Sequence, residues 1–235
     1  MPSHDAATMG NQLLDMLPRR EADRILAAGE SVELLFSETL VEPGERIRHV
    51  YFPTTGFIST LTPMRDHGNL EVGLIGREGM FGATLLLGVN VSPLHALVQG
   101  GGQSLRLGVP AFRRALRQSP ALERKLRNYL YVLMRQMAQA AACNRFHLVE
   151  TRLARWLLMT RDRAQTNSFH ITHEFLACML GVRRVGITKA ASTLQGRALI
   201  HYHRGDITIL DLAGLKAIAC ECYSTDKATY AEIMA

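Results

Sequence analysis

Arg183, Arg184, Thr188 and Lys189 fall within one short stretch and carry side chains suited to reading nucleic acid. On the outer face of a helix set into a major groove, an arginine in the first turn bonds guanine O6 and N7 in bidentate fashion. Lys189, one turn further on, reaches either a base or a phosphate. His173, Arg197 and Arg204 are placed for phosphates, which orient a protein on a duplex without reading its sequence.

Other reactive side chains are sparse. Cys220-Glu221-Cys222 and His201-Tyr202-His203 hold thiols and imidazoles, the usual ligands of Zn²⁺. Neither has the spacing of a known finger, and two residues apart on a helix the thiols of Cys220 and Cys222 point about 200° apart, so no metal site is expected. Cys178 is expected to be buried and inert; the other reading is that its oxidation tunes binding, because a charged product near phosphates repels them. No Gly-x-Ser-x-Gly and no phosphate loop occur, and residues 32–107 hold no His-x-His with a later Glu and His. A cupin-like metalloenzyme is therefore the weaker alternative, and no catalytic residue is assigned.

For the cationic face to stand outward, two helices must cross steeply, which requires a small residue at the crossing and a turn residue tolerant of positive φ. Ala177, Gly181 and Ile187 meet these needs, and Leu176, Leu180, Ala190 and Leu194 complete an uncharged inner face. Thr172 can cap the first helix, and Glu174 suits its positive end. Leu199 to Tyr202 and Asp206 to Leu210, around a turn at His203-Arg204-Gly205, read as a β-hairpin. A helix over 149–163 precedes these, and Asp211 can cap a last helix running through Cys220. Helix, helix-turn-helix and hairpin in succession make a winged helix.

Upstream, Leu126, Leu130, Leu133, Met137, Ala140, Asn144 and His147 follow at steps of four and three, the a/d seam of a heptad repeat. Pairing of two chains along that seam is expected, with Asn144 able to set register, against the alternative of one helix packed on its own domain. Before it, residues 32–107 carry short apolar runs broken by turn signals such as Glu42-Pro43-Gly44-Glu45 and Asp66-His67-Gly68-Asn69, a β-roll or sandwich pattern. A short helix over 11–29, ending at Gly29, opens the chain. The fold class is thus α+β, with a β-roll sensor-like domain over 1–118, a dimerisation helix over 119–147 and a winged helix-turn-helix domain over 148–235.

Charge supports a polyanion partner. Residues 1–120 carry a net charge of −1 and residues 121–235 one of +7, and cationic groups gain affinity for duplexes by releasing condensed counterions. Four cysteines, Cys143, Cys178, Cys220 and Cys222, are too few and too unevenly placed for a disulfide framework. Together with an N-terminus lacking a leader-length apolar run, they point to the cytoplasm. The uncharged run from Gly79 to Leu105 is interrupted by glycines and Pro93, as buried strands and turns are.

With these residues in view, the chain resembles the superfamily of the cyclic-AMP receptor protein and the fumarate-and-nitrate-reduction regulator (Crp/Fnr). The similarity runs through Val149-Glu150-Thr151-Arg152-Leu153-Ala154-Arg155-Trp156-Leu157-Leu158, the helix-turn-helix, the wing, the long helix and the roll. It implies a cyclic-nucleotide-binding-like jelly roll, homodimerisation through the long helix, a palindromic double-stranded DNA site, regulation of transcription and contact with RNA polymerase. The departures bear on ligands. In the phosphate cassette, Gly76-Arg77-Glu78-Gly79 displaces the glutamate by one position, Leu94 stands where an arginine would hold the phosphate, and Met137-Ala138 replace base-contacting hydroxyls. A buried phosphate without its counter-charge is heavily penalised, so cyclic AMP is not expected.

An iron–sulfur cluster is not expected either, because the first cysteine is Cys143. Nor is haem, since His49 and His95 are isolated histidines. No cofactor is assigned. Arg184 matches the family's guanine-reading arginine. Val185 replaces a cytosine-reading glutamate and suits a thymine methyl, and Arg183 occupies a position where Ser or Thr caps the helix. The alternative to a regulator is a scaffold that keeps the winged helix without touching DNA.

Overall fold

The computed structural model describes residues 10–65 and 68–235; the turn expected at Asp66-His67 lies outside the described residues. The opening helix is divided in two, α1 (Gln12–Asp15) and α2 (Arg19–Ala28). Pro18 causes the division, since a proline disfavours helical geometry in the residue before it. Asn11 caps α1 through a bond from the Leu14 amide, and its side-chain amide also donates to the Pro53 and Gly79 carbonyls, fastening the N-terminal segment to the roll.

Seven antiparallel strands follow: β1 (Glu30–Leu34), β2 (Thr39–Val41), β3 (His49–Pro53), β4 (Phe57–Met64), β5 (Gly68–Ile75), β6 (His95–Gly100) and β7 (Gly102–Gly108). They form two sheets, ordered β1-β7-β3 and β2-β6-β4-β5. Val50, Phe52, Ile58, Val98 and Leu107 fill the space between them. A 3-10 turn, Ala83–Leu87, is bounded by Gly82 and Gly88, both at positive φ.

Helix α3 (Val109–Gln118) leads to the long α4 (Pro120–Phe146), which Ser119 caps by accepting from the Leu122 amide. The register of the expected seam needs correction. Leu126 is fully buried, together with Leu122, Tyr129 and Val132, in the core of its own roll. Leu133 is half-buried against that core, and Ala140 is half-buried. The solvent-facing stripe of α4 keeps Met137 of the expected seam but otherwise lies one position on, at Met134 and Ala141, where Met134 is 68% and Met137 49% exposed, while Leu130 is half-buried against the roll. Asn144 is not free to set register, because its Oδ1 accepts from Arg152 Nη2 at 2.7 Å.

The C-terminal domain comprises α5 (Val149–Ala164), β8 (Ser168–His170), α6 (His173–Leu180), α7 (Arg184–Gly196), β9 (Ile200–His203), β10 (Asp206–Ile209) and α8 (Leu212–Ile218). The hairpin gains a third strand, in the order β8-β10-β9, absent from the expectation because three residues carry no readable alternation. Asp211 caps α8 through the Gly214 amide as expected, but the helix stops at Ile218 rather than reaching Cys220. A further helix, α9 (Cys222–Met234), folds back along α4: Lys125 Nζ and Asn128 Nδ2 donate to the carbonyls of Met234 (2.7 Å) and Ile233 (2.9 Å).

The β4–β5 hairpin of the roll is docked on the C-terminal domain. Leu61 belongs to that domain's core, and Cys178, half-buried on α6, donates its S–H to the Asn69 carbonyl at 2.9 Å. Trp156 Nε1 on α5 donates to Glu71 Oε1 at 2.8 Å, while the Ser59 hydroxyl at 2.7 Å bonds the other oxygen. Burial pushes the Glu71 carboxyl up from 4.5 to about 7, against the opposing effect of these two bonds. The docked state therefore prefers the protonated acid. Its contribution is complete below about pH 4.5 and fades as pH rises to about 7, where the buried group must ionise. Glu71→Gln should accordingly stabilise the protein at pH 8 by an amount on the order of 2 kcal/mol and leave it unchanged near pH 5. Thermal melts of the two proteins at both pH values check this.

Candidate nucleic-acid interface

The geometry of the helical pair follows from local chemistry. The Thr172 hydroxyl accepts from the Phe175 amide at 3.2 Å and starts α6. Gly181 ends it in the left-handed conformation, φ +60°, which a glycine adopts without steric cost. A β-carbon there would also lie 2.7 Å from Leu70 of the docked hairpin, so this glycine serves both the turn and the domain contact. Ala177, Ile187, Ala190 and Leu194 are buried at the crossing. What remains outside on α7 is Arg184, Val185, Thr188, Lys189 and Ser192, all exposed or partly so, with Val185 at 71%. A large apolar side chain left so open at the start of a cationic helix has no internal role to account for it.

Arg183 occupies the N-cap of α7 and makes no side-chain capping bond. The first turn thus presents amide groups and two guanidinium groups toward solvent, a site that favours anions. The wing turns through Arg204 (φ +50°) and Gly205 (φ +94°), the positive pair that a two-residue hairpin turn of the right twist requires. Arg204 is exposed at its tip.

Two of the residues expected at phosphates are engaged within the protein. His173 is not an open surface group. Its ring stacks on Tyr202 of the wing at 4.2 Å and its Nδ1 lies 3.1 Å from Thr188 Oγ1. The Thr188 hydroxyl donates to the Arg184 carbonyl, so the imidazole donates to the hydroxyl from Nδ1, and Nε2 is left buried without a hydrogen-bond partner among the described residues. Burial, then the nearby Arg184 charge, lower the His173 pKa. A neutral ring that braces α7 against the wing replaces the expected phosphate contact. Arg197, at the end of α7, lies 3.4 Å from Glu150 while remaining 55% exposed.

Tyr202 and Gln195 were not singled out from the sequence, yet they position the wing: Gln195 Oε1 accepts from the Tyr202 amide at 2.6 Å. Strand alternation was the available signal, since it places Tyr202 opposite His201 and His203, both exposed. Ser192 was also missed; it lies one turn beyond Thr188 and Lys189 on the same side.

The thiols of Cys220 and Cys222 do not diverge. They flank Glu221 between α8 and α9 rather than sharing a helix, and both are buried beside Cys143.

Residues 151–218 match the family described as the Crp-like helix-turn-helix domain. No curated protein matches the chain. Among solved structures, FixK2 from Bradyrhizobium japonicum superposes with a TM-score of 0.68 at 16% identity, covering 82% of this chain and 98% of its own. The c-di-GMP-responsive global regulator CLP of Xanthomonas campestris gives 0.63 at 15% identity, covering 82% and 99%. A Crp/Fnr-family transcriptional regulator of Thermus thermophilus gives 0.59 at 22% identity, covering 81% and 98%. These likenesses establish the fold: antiparallel roll, long helix and C-terminal helix-turn-helix.

Proposed function

We propose that the protein is a DNA-binding transcriptional regulator acting as a homodimer, a reading supported by the match of residues 151–218 to the Crp-like helix-turn-helix domain family and by the fold shared with FixK2. The observation that carries this reading is the exposed face of α7, where Arg184, Val185, Thr188 and Lys189 stand together without a covering element. Arg184 reads guanine, Val185 packs on a thymine methyl, and Lys189 takes a base or a phosphate. Arg183, Arg197 and Arg204 contact the backbone. Two copies joined along α4 place their α7 helices in successive major grooves, with half-sites roughly 34 Å apart. Contact with RNA polymerase and residence in the cytoplasm follow from the same reading. Among the described residues no helix is long and apolar enough to cross a membrane.

The reading is tested by gel mobility shift with genomic fragments across a salt series. A regulator retards a subset of fragments, and its affinity falls steeply as salt rises. Indifference to every duplex at low salt would favour a scaffold that retains the fold.

Cyclic AMP is not proposed as the effector. Glu78 of the cassette is paired with Arg163 of α5 at 2.8 Å, and Tyr129 packs so closely on Gly79 that any β-carbon there would overlap its hydroxyl. The cassette is thus committed to holding the domains together. Millimolar cyclic AMP should leave operator affinity unchanged in the same assay, and a clear tightening would reverse this assignment.

A further inference from the structure

Four side chains meet at the joint between the long helix and the C-terminal domain. Cys143 lies in the last turn of α4, His147 is that helix's C-cap, and Cys220 and Cys222 bracket the α8–α9 corner. Cys143 Sγ is 3.6 Å from Cys220 Sγ, Cys222 Sγ is 3.4 Å from His147 Nδ1, and all four donor atoms lie within 4.8 Å of one another. All three cysteines are free thiols with side chains turned away from solvent. A tetrahedral Zn²⁺ with Zn–S of about 2.3 Å and Zn–N of about 2.0 Å would set sulfur–sulfur separations of about 3.8 Å and sulfur–nitrogen separations of about 3.5 Å. The two spacings just given, 3.6 Å and 3.4 Å, lie within a few tenths of an ångström of these values.

We propose that Cys143, His147, Cys220 and Cys222 form a mononuclear Cys₃His metal site, selective for Zn²⁺, that locks the α4–α5 joint. The donor set is that of a closed structural site, soft enough to reject Mg²⁺ and Ca²⁺. A polynuclear cluster would hold its cysteines further apart, because bridging sulfides lie between the metal ions. The surroundings fit as well as the donors. His147 Nε2 lies 3.2 Å from the Glu221 carboxylate, which fixes the proton on Nε2 and leaves Nδ1 as the ligand. Gln139 Nε2 donates to Cys222 Sγ at 3.0 Å, as amides do to coordinated thiolates. Three thiolates and one Zn²⁺ carry a net charge of −1, and Arg152 and Arg155 both interact electrostatically with Cys143 and Cys220. Binding displaces one proton from each of the three thiols to solvent, without any change of oxidation state.

Position gives the site its consequence. Helix α4 ends at Phe146 and α5 begins at Val149, so His147 sits in the joint that orients the helix-turn-helix relative to the dimer helix. An ion there ties the joint to the α8–α9 corner. This step rests on the DNA-binding reading, whereas the metal site itself does not.

The test begins with the full-length protein purified under reducing conditions. Elemental analysis should give one zinc per chain, and exchange for Co²⁺ should produce the intense thiolate charge-transfer and d–d bands of a tetrahedral site. Cys222→Ser and His147→Ala should lower zinc content by tenfold or more, while Cys178→Ser, outside the cluster, should retain it. Should the variants fail to fold, chelator competition on the unaltered chain reads the same site. Protein without zinc that gives no such bands with added Co²⁺, a Cys143–Cys220 disulfide in its place, or the broad visible absorption of an iron–sulfur cluster would each overturn the assignment. Removing the metal should weaken binding to a retarded fragment at least tenfold. Unchanged binding would overturn the locking role while leaving the metal site intact, and failure of the zinc-loaded protein to bind any duplex would count against the regulator reading alone.

Discussion

Arg184→Ala should weaken binding to the operator by about 1–3 kcal/mol per half-site and relax the preference at a single base pair. Arg184 is exposed in the first turn of α7, and its side chain has no hydrogen-bond or ion-pair partner among the described residues, so the substitution breaks no such bond and removes only the charge that helps keep His173 neutral. Its backbone carbonyl, which accepts from Thr188, is unaffected. Lys189→Ala provides the contrast. If Lys189 meets a phosphate, binding should weaken about evenly across sequences, and the slope of log affinity against log salt should become shallower by about one. Competition shifts against operators altered one base pair at a time distinguish the two patterns. An Arg184 variant that discriminates among these operators as the parent does would mean that another part of α7 faces the groove.

The parts of this interface that could be read from sequence are those settled within a few residues. Thr172 caps, Gly181 turns, and Ala177 meets Ile187, because each depends on one side chain's size or hydrogen-bonding capacity. His173 could be read from sequence as a candidate phosphate contact but not as a brace. Its role depends on Tyr202, which reaches it only after the wing has folded. The cysteines show the same limit: a helix assumed to run through Cys220 pointed their thiols apart, whereas Ala219 breaks it (ψ 144°) and turns them toward Cys143. Contacts such as Trp156 with Glu71, 85 positions apart, leave no local trace at all.

Within α4 the limit is one of degeneracy. Two heptad registers overlap there, one through Leu126, Leu133 and Ala140 and one through Arg127, Met134 and Ala141, and both share Leu130 and Met137. Periodicity cannot choose between them. The roll chooses, by taking Leu122, Leu126, Tyr129 and Val132 into its own core. The other register is left more open, where exposed Tyr131, Met134 and Leu87 join half-buried Leu86 and Leu130 along a groove of about 360 Å³.

If the chains pair along α4 as proposed, the double substitution Met134→Glu with Met137→Glu should convert the dimer to monomers and reduce operator affinity by a factor on the order of 100 or more, the gain that linking two half-sites supplies. Across a two-fold axis each new carboxylate faces apolar surface or its own counterpart, and uncompensated charges in such a seam are strongly disfavoured. Once the chains separate, the second recognition helix no longer binds as a tethered neighbour. The monomer itself should melt as the parent chain does at matched dilution, because both methionines are already open to solvent in the single chain. Leu126→Glu should behave in the opposite way, unfolding the roll by placing a charge in its core. Light scattering and thermal melts on the two variants separate these outcomes. A Met134/Met137 variant that remains dimeric would move the pairing surface off this face of α4, and with it the spacing that the two α7 helices present to DNA.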